Sequence, residues 1–381
     1  MNFKLRVILD TLRQHQHKPD LIAAQAVLAS VAAHPLKGQP VWSMIVGPPG
    51  SGKTTLLEAL SGLKNVRSID SLTPKTFISG YIDEEGGRKT KGPSAQPGLL
   101  HRIGPEGIIV IPDFSTVLSM KSENKAEILS HLRKIYDGKF SKEFGTPGEA
   151  AEREWTGRIT CTVAVTPAID QNYSVFQAMG ERFLMIRWPR AGGVDAGLSA
   201  MNQDSAESRD ELRAGVHGLL LSRPHVEPTI PEALQVAIAS LSEIMVIGRT
   251  HIARARYSKE IIYLPEQESN TRAAQELAQL AKGSALISGR TVVEEADMVI
   301  VRRVGLDSIP PTRCKVLKGL AGGEEEATRN MPRATLSYAR EELQELGLLD
   351  ERFQLAEETR ELFWAAGILT GRSGTLEEEA A

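Results

Sequence analysis

The sequence has 381 residues, of which 41% are apolar and 24% charged, and its formal net charge is −3. This composition is ordinary for a globular protein of two or three domains, and any surface that binds nucleic acid must be local. No apolar run approaches the roughly 20 residues that a membrane-spanning helix needs, so no membrane association is expected. The two cysteines, Cys161 and Cys314, have no metal-binding spacing, which favours a reduced, cytoplasmic setting.

Helical periodicity comes first in the chain, over residues 2–35, and short apolar strands then alternate with helical segments. The predicted strands are 41–46, 66–70, 108–112, 159–166 and 183–187, and the predicted helices are 54–61, 123–136 and 171–179. This alternation predicts an α/β fold in which helices cover both faces of a parallel sheet. The polar, Gly/Pro-rich stretch 83–99 is long for a compact domain, which favours a functional or mobile loop.

The second half of the chain has mainly helical patterns. Helices are predicted at 204–222, 231–248, 268–281 and 292–303. A small module follows over 309–356, where helices at 310–320 and 333–346 precede a segment at 347–355 that resembles a β-wing. Helix, helix and wing in this order predict a winged helix.

The most specific motif is the phosphate-binding loop at 47–54, a full match to G-x-x-x-x-G-K-[ST] between a predicted strand and a predicted helix. Its glycines let backbone N–H groups turn toward phosphates, Lys53 can reach the β- and γ-phosphates, and the Thr54 hydroxyl can bind Mg²⁺. The residues expected to hold the nucleotide are Gly47, Pro48, Pro49, Gly50, Ser51, Gly52, Lys53, Thr54 and Thr55.

A carboxylate stands where a second Mg²⁺-binding residue is needed. The run 107–113 is an apolar strand that ends in Asp113, which can position the cation; the alternative is a helix or turn cap. In many such ATPases a Glu follows directly and polarises the attacking water, but here Phe114 follows.

The catalytic base must therefore come from elsewhere, or hydrolysis is weak. Asp70 ends the strand before Asp113, and we expect it beside the P-loop as the first substitute. Glu84 and Glu85 on the long loop are weaker candidates.

Three further residues could respond to the phosphate charge. Thr166 ends a strand in a hydroxyl that could sense the γ-phosphate, although such a residue alone is more often part of a turn. Arg182 precedes a strand and could act as an arginine finger from a neighbouring subunit, or form an ion pair with Glu181 or another acid. Arg272 begins a helix and could contact the γ-phosphate from a lid, or lie on a solvated helix face.

The order of these motifs resembles the AAA+ ATPases, and most closely the minichromosome-maintenance helicases and related phage or plasmid ATPases. The resemblance covers roughly residues 40–305 and implies a homo-oligomer, with a hexameric ring as the expected form, that binds ATP and Mg²⁺ between subunits. It implies that the segment around Arg182 carries the arginine finger and that around Arg272 carries sensor 2. It also places a hairpin near 138–146. Two departures are the Phe after Asp113 and an N-terminal part too short for the DNA-binding domain of those helicases.

With this resemblance, the expected fold is a three-layer α/β/α P-loop NTPase core with a helical lid and a C-terminal winged-helix module. The expected domains are an N-terminal helical segment (1–40), the AAA+ nucleotide-binding core (41–190), the lid (191–305) and the winged-helix-like module with an acidic tail (306–381).

Two places could contact DNA. Lys139 and Lys142 lie among Phe140 and Phe144, a mixture of charge and aromatic rings that suits a pore loop, although a solvated turn is an equal alternative.

The second place is the helix 333–346, whose Arg333 and Arg340 could meet phosphates or base edges. Glu341 and Glu342 on the same helix would repel DNA, so a winged helix that binds protein is the alternative.

The sequence thus predicts an oligomeric ATPase that acts on DNA as a helicase or translocase. The alternative is an ATP-dependent switch or adaptor of a mobile element or defence system, with slow hydrolysis, that recruits a protein partner. The missing Glu after Asp113 favours this alternative. A monomeric P-loop kinase is disfavoured by the chain length and by the lid-like arginines.

Overall fold

The computed structural model describes residues 2–78, 98–146, 149–172, 181–190, 192–201, 205–255, 257–322 and 326–369. Its strands are β1 (Ser43–Val46), β2 (Val66–Ser68), β3 (Glu106–Ile111), β4 (Lys139–Thr146), β5 (Glu149–Thr156), β6 (Arg158–Val165), β7 (Leu184–Arg187), β8 (Ala253–Arg254) and β9 (Ile261–Tyr263).

Helices precede, connect and follow these strands. They are α1 (Phe3–His15), α2 (Leu21–Ala32), α3 (Lys53–Glu58), α4 (Leu99–Ile103), α5 (Ser115–Leu118), α6 (Ser122–Tyr136), α7 (Val194–Met201), α8 (Ser205–Leu221), α9 (Glu232–Arg249), α10 (Thr271–Ile287), α11 (Glu295–Asp307), α12 (Pro311–Gly322), α13 (Glu326–Arg329), α14 (Arg333–Glu345) and α15 (Glu357–Ala365). None of the helices described is both long and apolar enough to cross a membrane.

The centre of the fold is a five-stranded parallel sheet in the order β2-β3-β6-β1-β7. Alternate side chains of β1, β3, β6 and β7 enter different cores, as the pleat requires. On β1, Ile45 belongs to the larger core, whereas Met44 and Val46 belong to the smaller one on the other face. Burial on both faces explains why these strands are apolar runs rather than alternating patterns, and it confirms the predicted α/β fold with a parallel sheet.

The N-terminal helices pack into the body of the protein. α1 packs against α8, and α2 lies against α10. Gly283 of α10 makes the second contact possible, because a Cβ at that position would lie 2.1 Å from the carbonyl oxygen of Ala29. The segment before β1 therefore shares its core with the helices predicted to form the lid.

The C-terminal helices also share this core. α12 packs against α14, α15 packs against α9, and buried residues of all four helices belong to one cluster. The predicted wing contains a single antiparallel bridge between Leu349 and Leu355 in place of two strands. α15 follows the predicted module, and the sequence patterns did not predict it. The expected boundary at 306 stays a prediction, and apolar contacts cross it.

Most predicted elements of the core match the structure within two or three residues at each end. A hairpin is present, formed by β4 and β5 in antiparallel register, but the range expected for it, 138–146, covers only its first strand. Of the helix predicted at 171–179, a 3₁₀ turn over Pro167–Asn172 is described, and the rest lies outside the described residues, as does most of the loop 83–99.

Candidate nucleotide-binding site

The loop between β1 and α3 has the backbone that its glycines predict. Gly50 and Gly52 have φ angles of +71° and +86°, in the left-handed region that favours glycine. Gly47 is required for space, because a Cβ there would lie 2.6 Å from the carbonyl oxygen of Trp188. The loop therefore turns tightly out of β1 and brings Lys53 to the first position of α3.

Lys53 is folded back into this loop. Its Nζ donates hydrogen bonds to the carbonyl oxygens of Gly47 at 2.7 Å and Pro48 at 2.6 Å, and to Ser51 Oγ at 3.3 Å. Burial lowers the pKa of the Lys53 ammonium group, and the nearby Asp113 carboxylate opposes this shift. The ammonium group is thus surrounded by neutral oxygens for which a phosphate would be a stronger competitor.

The carboxyl ends of β1, β6 and β3 bring the expected polar residues together. The N–H of Gly47 donates to Val165 O at 3.1 Å, which holds the loop against β6. Ser115 links the other two residues: its N–H donates to Asp113 Oδ1 at 2.9 Å, and its Oγ accepts from the N–H of Thr166 at 3.2 Å. Lys53, Asp113 and Thr166 therefore line one cleft.

This cleft has a volume of about 940 Å³, within the range of small-molecule sites. Its walls are the P-loop, the turn between α1 and α2, the segment after β7 and the beginning of α8. Its lysine and arginine side chains are Lys18, Lys53, Arg190 and Arg209, and its described carboxylates are Asp20 and Asp113. The excess of cations suits a polyanionic ligand.

Two residues that the sequence analysis missed support the loop. The backbone N–H of Trp188 donates to Val46 O and its indole Nε1 donates to Ser51 O, both at 2.7 Å. The side chain of Gln16 lies against Gly52, where a Cβ would come within 2.9 Å of its Oε1. A tryptophan directly after a predicted strand was a weak signal for the first contact. No local pattern pointed to the second, because it joins residues 36 positions apart in the chain.

The position after Asp113 does not face the cleft. Phe114 is fully buried, its N–H donates to Ala164 O at 2.8 Å, and its ring lies 6.4 Å from that of Phe183. In this backbone conformation the side chain at 114 enters the smaller core. Phe114 is therefore a packing residue of the core, and a side chain at position 114 does not reach the cleft in this conformation.

The prediction that Asp70 lies beside the P-loop is wrong. Asp70 is exposed just after β2, the edge strand, and β3 and β6 stand between β2 and β1. Three strand spacings of about 4.8 Å separate the two strands by roughly 14 Å. The sequence placed Asp70 next to the loop because β2 follows β1 in the chain, but the strand order differs. Glu84 and Glu85 lie outside the described residues.

Arg182 lies at the end of the sheet where the strands begin, whereas the P-loop of the same chain lies at the end where they finish. β7 runs parallel to β1 with Leu184 opposite Ser43, so Arg182 is at the strand's beginning, away from the carboxyl ends. Its Nη2 donates to both carboxylate oxygens of Asp137, at 2.9 and 3.0 Å, and its guanidinium lies over the Tyr136 ring. The ion pair with another acid, one of the two predicted alternatives, is therefore present.

Arg272 is on the same side as Arg182 and does not line the cleft. Its Nη2 donates to Glu268 at 2.8 Å, and Glu268 also pairs with the buried Arg249. Arg249 in turn pairs with Glu181, the neighbour of Arg182. The expected sensor 2 residue therefore lies in one ionic cluster with the segment of the expected finger, and not above the phosphate site of its own chain.

Glu276 is the most deeply buried acid of this cluster. It accepts a hydrogen bond from the Tyr136 hydroxyl and is fully buried. Burial raises the pKa of Glu276 to about 7, although the Tyr136 hydrogen bond and the charges of Arg249 and Arg272 lower it. Glu268 raises it further. The carboxyl group is thus partly protonated near neutral pH.

Replacement Glu276→Gln is expected to remove a pH dependence of stability. The pKa is higher in the folded protein than the ordinary value of 4.5, so this stabilisation is complete below pH 4.5 and is lost as pH rises through about 7. The unfolding free energy of the variant should therefore rise relative to wild type over this window, by on the order of 3 kcal/mol. Denaturant titrations at several pH values measure the difference.

Taking the difference between the two proteins cancels contributions that they share. The pKa of His34 is lowered to about 4 by burial, so it adds stability as pH rises from 4 to 6.5 in both proteins. Glu345→Gln, an exposed substitution on α14, is the matched control and should follow the wild-type curve. Parallel curves for wild type and Glu276→Gln would contradict the role given to Glu276.

The hairpin residues expected to grip DNA are only partly available. Lys139 is exposed on β4, but Lys142 pairs with Glu127 at 3.1 Å. Phe140 is 3% exposed and packs edge-on against the ring of His131 at 4.8 Å. The Phe140 ring is therefore too buried to serve a pore loop by stacking on bases, and the side chain of Phe144 lies outside the described residues.

On α14, Arg333 is exposed and the Arg340 guanidinium lies 6.0 Å from the centre of the Phe353 ring. The acids on this helix have partners elsewhere in the fold. Arg254 pairs with Glu341 at 2.9 Å and with Glu342 at 2.8 Å, and the buried Arg313 also pairs with Glu342. Their charges are thus largely compensated.

Among the described residues, no group of three or more His, Cys, Asp or Glu side chains could hold a metal ion. A Mg²⁺ ion at Thr54 and Asp113 would depend on phosphate oxygens and water for its other ligands, which is its usual preference. Comparisons with models of protein families and with curated proteins give no match to the chain.

Proposed function

We propose that this chain is an ATPase of the AAA+ type that binds ATP with Mg²⁺ in the cleft above residues 47–54. The observation that carries the proposal is the meeting of Lys53, Asp113 and Thr166 around a glycine-rich loop in one cationic cleft. A chance Gly-rich turn would require neither a buried lysine nor a carboxylate at the end of another buried strand.

Each residue of the site has a distinct part in this proposal. The backbone of the loop binds the phosphates, and Lys53 exchanges its bonds to loop carbonyls for the β- and γ-phosphates. Thr54 and Asp113 hold Mg²⁺, which neutralises phosphate charge when it is bound. Thr166, fixed by Ser115, senses the γ-phosphate.

We further propose that the complete site forms between subunits of a homo-oligomer, with a hexameric ring as the expected form. Arg182 and Arg272 lie on the side of the sheet opposite to their own cleft, so they can reach a nucleotide only in a neighbouring subunit. The bond between Arg182 and Asp137 would then be exchanged for one to phosphate, which carries the greater negative charge.

We favour a function in which ATP hydrolysis drives action on DNA, as in a helicase or translocase. The compensated charges of Glu341 and Glu342 support it, because they weaken the repulsion expected on α14, while Arg333 and Lys139 remain exposed. These cations would bind phosphates without sequence specificity.

An ATP-dependent assembly switch that recruits a protein partner is the second candidate, and a separate observation favours it. Asp20 and Asp113 are the carboxylates of the described cleft, and Asp20 is already engaged. It accepts from the N–H of Ala23 at 2.9 Å and pairs with Arg303 at 3.0 Å. Among the described lining residues, Asp113 is therefore the carboxylate without such an ion pair, and no second one is available as a base, which suits slow hydrolysis.

The test is the ATPase rate of the purified protein with and without single- and double-stranded DNA, with its mass measured in parallel. Strong stimulation by DNA in a hexamer-sized particle supports the motor. An oligomer that forms on ATP binding and has a low ATPase rate, unchanged by DNA, supports the switch. A protein that neither binds nor hydrolyses ATP would contradict both.

A further inference from the structure

Two exposed arginines of the cleft have no part in the sequence prediction. Arg190 lies after β7 and Arg209 lies near the beginning of α8, and both line the cleft that contains Lys53. Among the described residues, neither forms an ion pair with a carboxylate. Their closest arginine neighbours on these elements, Arg187 of β7 and Arg213 of α8, do pair with carboxylates among the described residues, so the cleft holds two arginines whose charge is not compensated there.

Arg190 is held at the edge of the P-loop by its near neighbour Trp188. The backbone of Trp188 is bonded to Val46, the residue before the loop, and its indole is bonded to Ser51 within the loop. The carbonyl oxygen of Trp188 lies so close to Gly47 that no side chain fits there. Arg190 follows two residues later, so the chain carries it away from the sheet beside the loop that is expected to surround the phosphates.

Arg209 approaches the cleft from the helical subdomain. Ser208, Arg209 and Leu212 of α8 line the cleft, and α8 also contacts α3, the helix that begins at Lys53. α8 also packs on α1, where a Cβ at Gly215 would lie 3.0 Å from the Ile8 side chain. α8, which carries Arg209, therefore belongs to the predicted lid and also forms part of the wall of the nucleotide site. Arg272 lies on α10, from which no described residue lines the cleft.

We infer that Arg190 and Arg209 form a phosphate clamp within each subunit, in which Arg209 performs the sensing that the sequence assigns to Arg272. The inference rests on the proposed function, because the clamp requires a polyphosphate above the P-loop. Arginine suits this task because its planar guanidinium makes paired bonds to phosphate oxygens and keeps its charge. Arg209 would draw α8 toward the phosphates, so that nucleotide binding changes the position of the lid.

The clamp predicts an effect that depends on the number of phosphates. Arg190→Ala and Arg209→Ala should each weaken binding of Mg²⁺-ATP by about tenfold or more, because each loses charge-assisted hydrogen bonds. Binding of AMP, which lacks the outer phosphates, should change little. Arg209→Lys keeps the charge but not the fork and should have an intermediate affinity. Isothermal titration with ATP, ADP and AMP measures all three.

The matched control is Arg213→Ala. Arg213 lies one turn after Arg209 on α8, pairs with Asp210 at 3.1 Å and does not line the cleft. It should bind ATP like wild type. Because Arg190 and Arg209 are exposed, their replacement should leave the unfolding temperature of the nucleotide-free protein unchanged.

Lys53→Ala separates failure of this inference from failure of the proposed function. If wild type binds ATP, Lys53→Ala does not, and both arginine variants bind within twofold of wild type, the clamp is wrong and the ATP site stands. Equal losses for ATP and AMP would also overturn the clamp, since the arginines would then act elsewhere than on the outer phosphates. If wild type itself binds no ATP, the proposed function is wrong.

Discussion

Replacement of Lys53 by alanine is expected to abolish nucleotide-dependent function and to lower ATP hydrolysis by at least a factor on the order of 10². Lys53 is the ammonium group closest to the expected β- and γ-phosphates, and it is 7% exposed. Its loss leaves the phosphate charge without its main partner in a site partly shielded from water, where such pairs are strongest. Titration with ATP and steady-state hydrolysis both measure this effect.

Thermal unfolding provides a second measurement for the same variant. Wild type at an ATP concentration 100 times its Kd should gain about 2.7 kcal/mol of stability, and Lys53→Ala should gain almost none. The nucleotide-free loop also loses the bonds from Nζ to Gly47 and Pro48, so the comparison is made for each protein with and without ATP. Lys64→Ala, an exposed lysine outside the cleft, is the control. Retained hydrolysis in Lys53→Ala would contradict the ATP assignment.

The sequence predicted those parts of the site that depend on neighbouring residues. The P-loop is a local motif, and Gly50 and Gly52 adopt the positive φ angles that such a loop needs. Asp113 and Thr166 were identified because each ends an apolar run, and parallel strands bring their carboxyl ends to one edge of the sheet. The P-loop motif and the pattern of apolar runs were therefore sufficient to predict that these residues lie at one site.

The residues that the sequence analysis misplaced or missed depend on strand order and on packing between distant segments. Asp70 was expected next to the loop, but β3 and β6 lie between its strand and β1. Phe114 is a core residue because the chain after β3 turns into the smaller core. Gln16 reaches Gly52 only because α1 packs on α8 and brings the turn after α1 over the loop. Contacts between such distant segments produce no hydrophobic periodicity and no local motif from which they could be predicted.

Replacement of Arg182 by alanine is expected to leave ATP binding nearly unchanged and to lower hydrolysis by a factor on the order of 10³ or more. Binding should survive because Arg182 lies away from the cleft of its own chain. The fold should survive because Asp137, its partner, is half exposed and can be solvated by water. Single-turnover hydrolysis and ATP titration separate the two effects, and Arg67→Ala, an exposed arginine on β2, is the control.

Mixing two inactive variants tests whether Arg182 acts on a neighbouring subunit. A subunit with Asp113→Ala has no Mg²⁺ ligand at that position but presents an intact Arg182, and a subunit with Arg182→Ala has an intact cleft. An Arg182→Ala subunit that binds ATP next to an Asp113→Ala subunit receives the intact Arg182 of that neighbour, so one complete site forms. The mixture should therefore hydrolyse ATP faster than either variant alone. The rate should depend on the mixing ratio, because only one kind of neighbouring pair is complete. No recovery at any ratio would mean that each chain contains its whole site, and Arg182 would then be a structural partner of Asp137 and Tyr136.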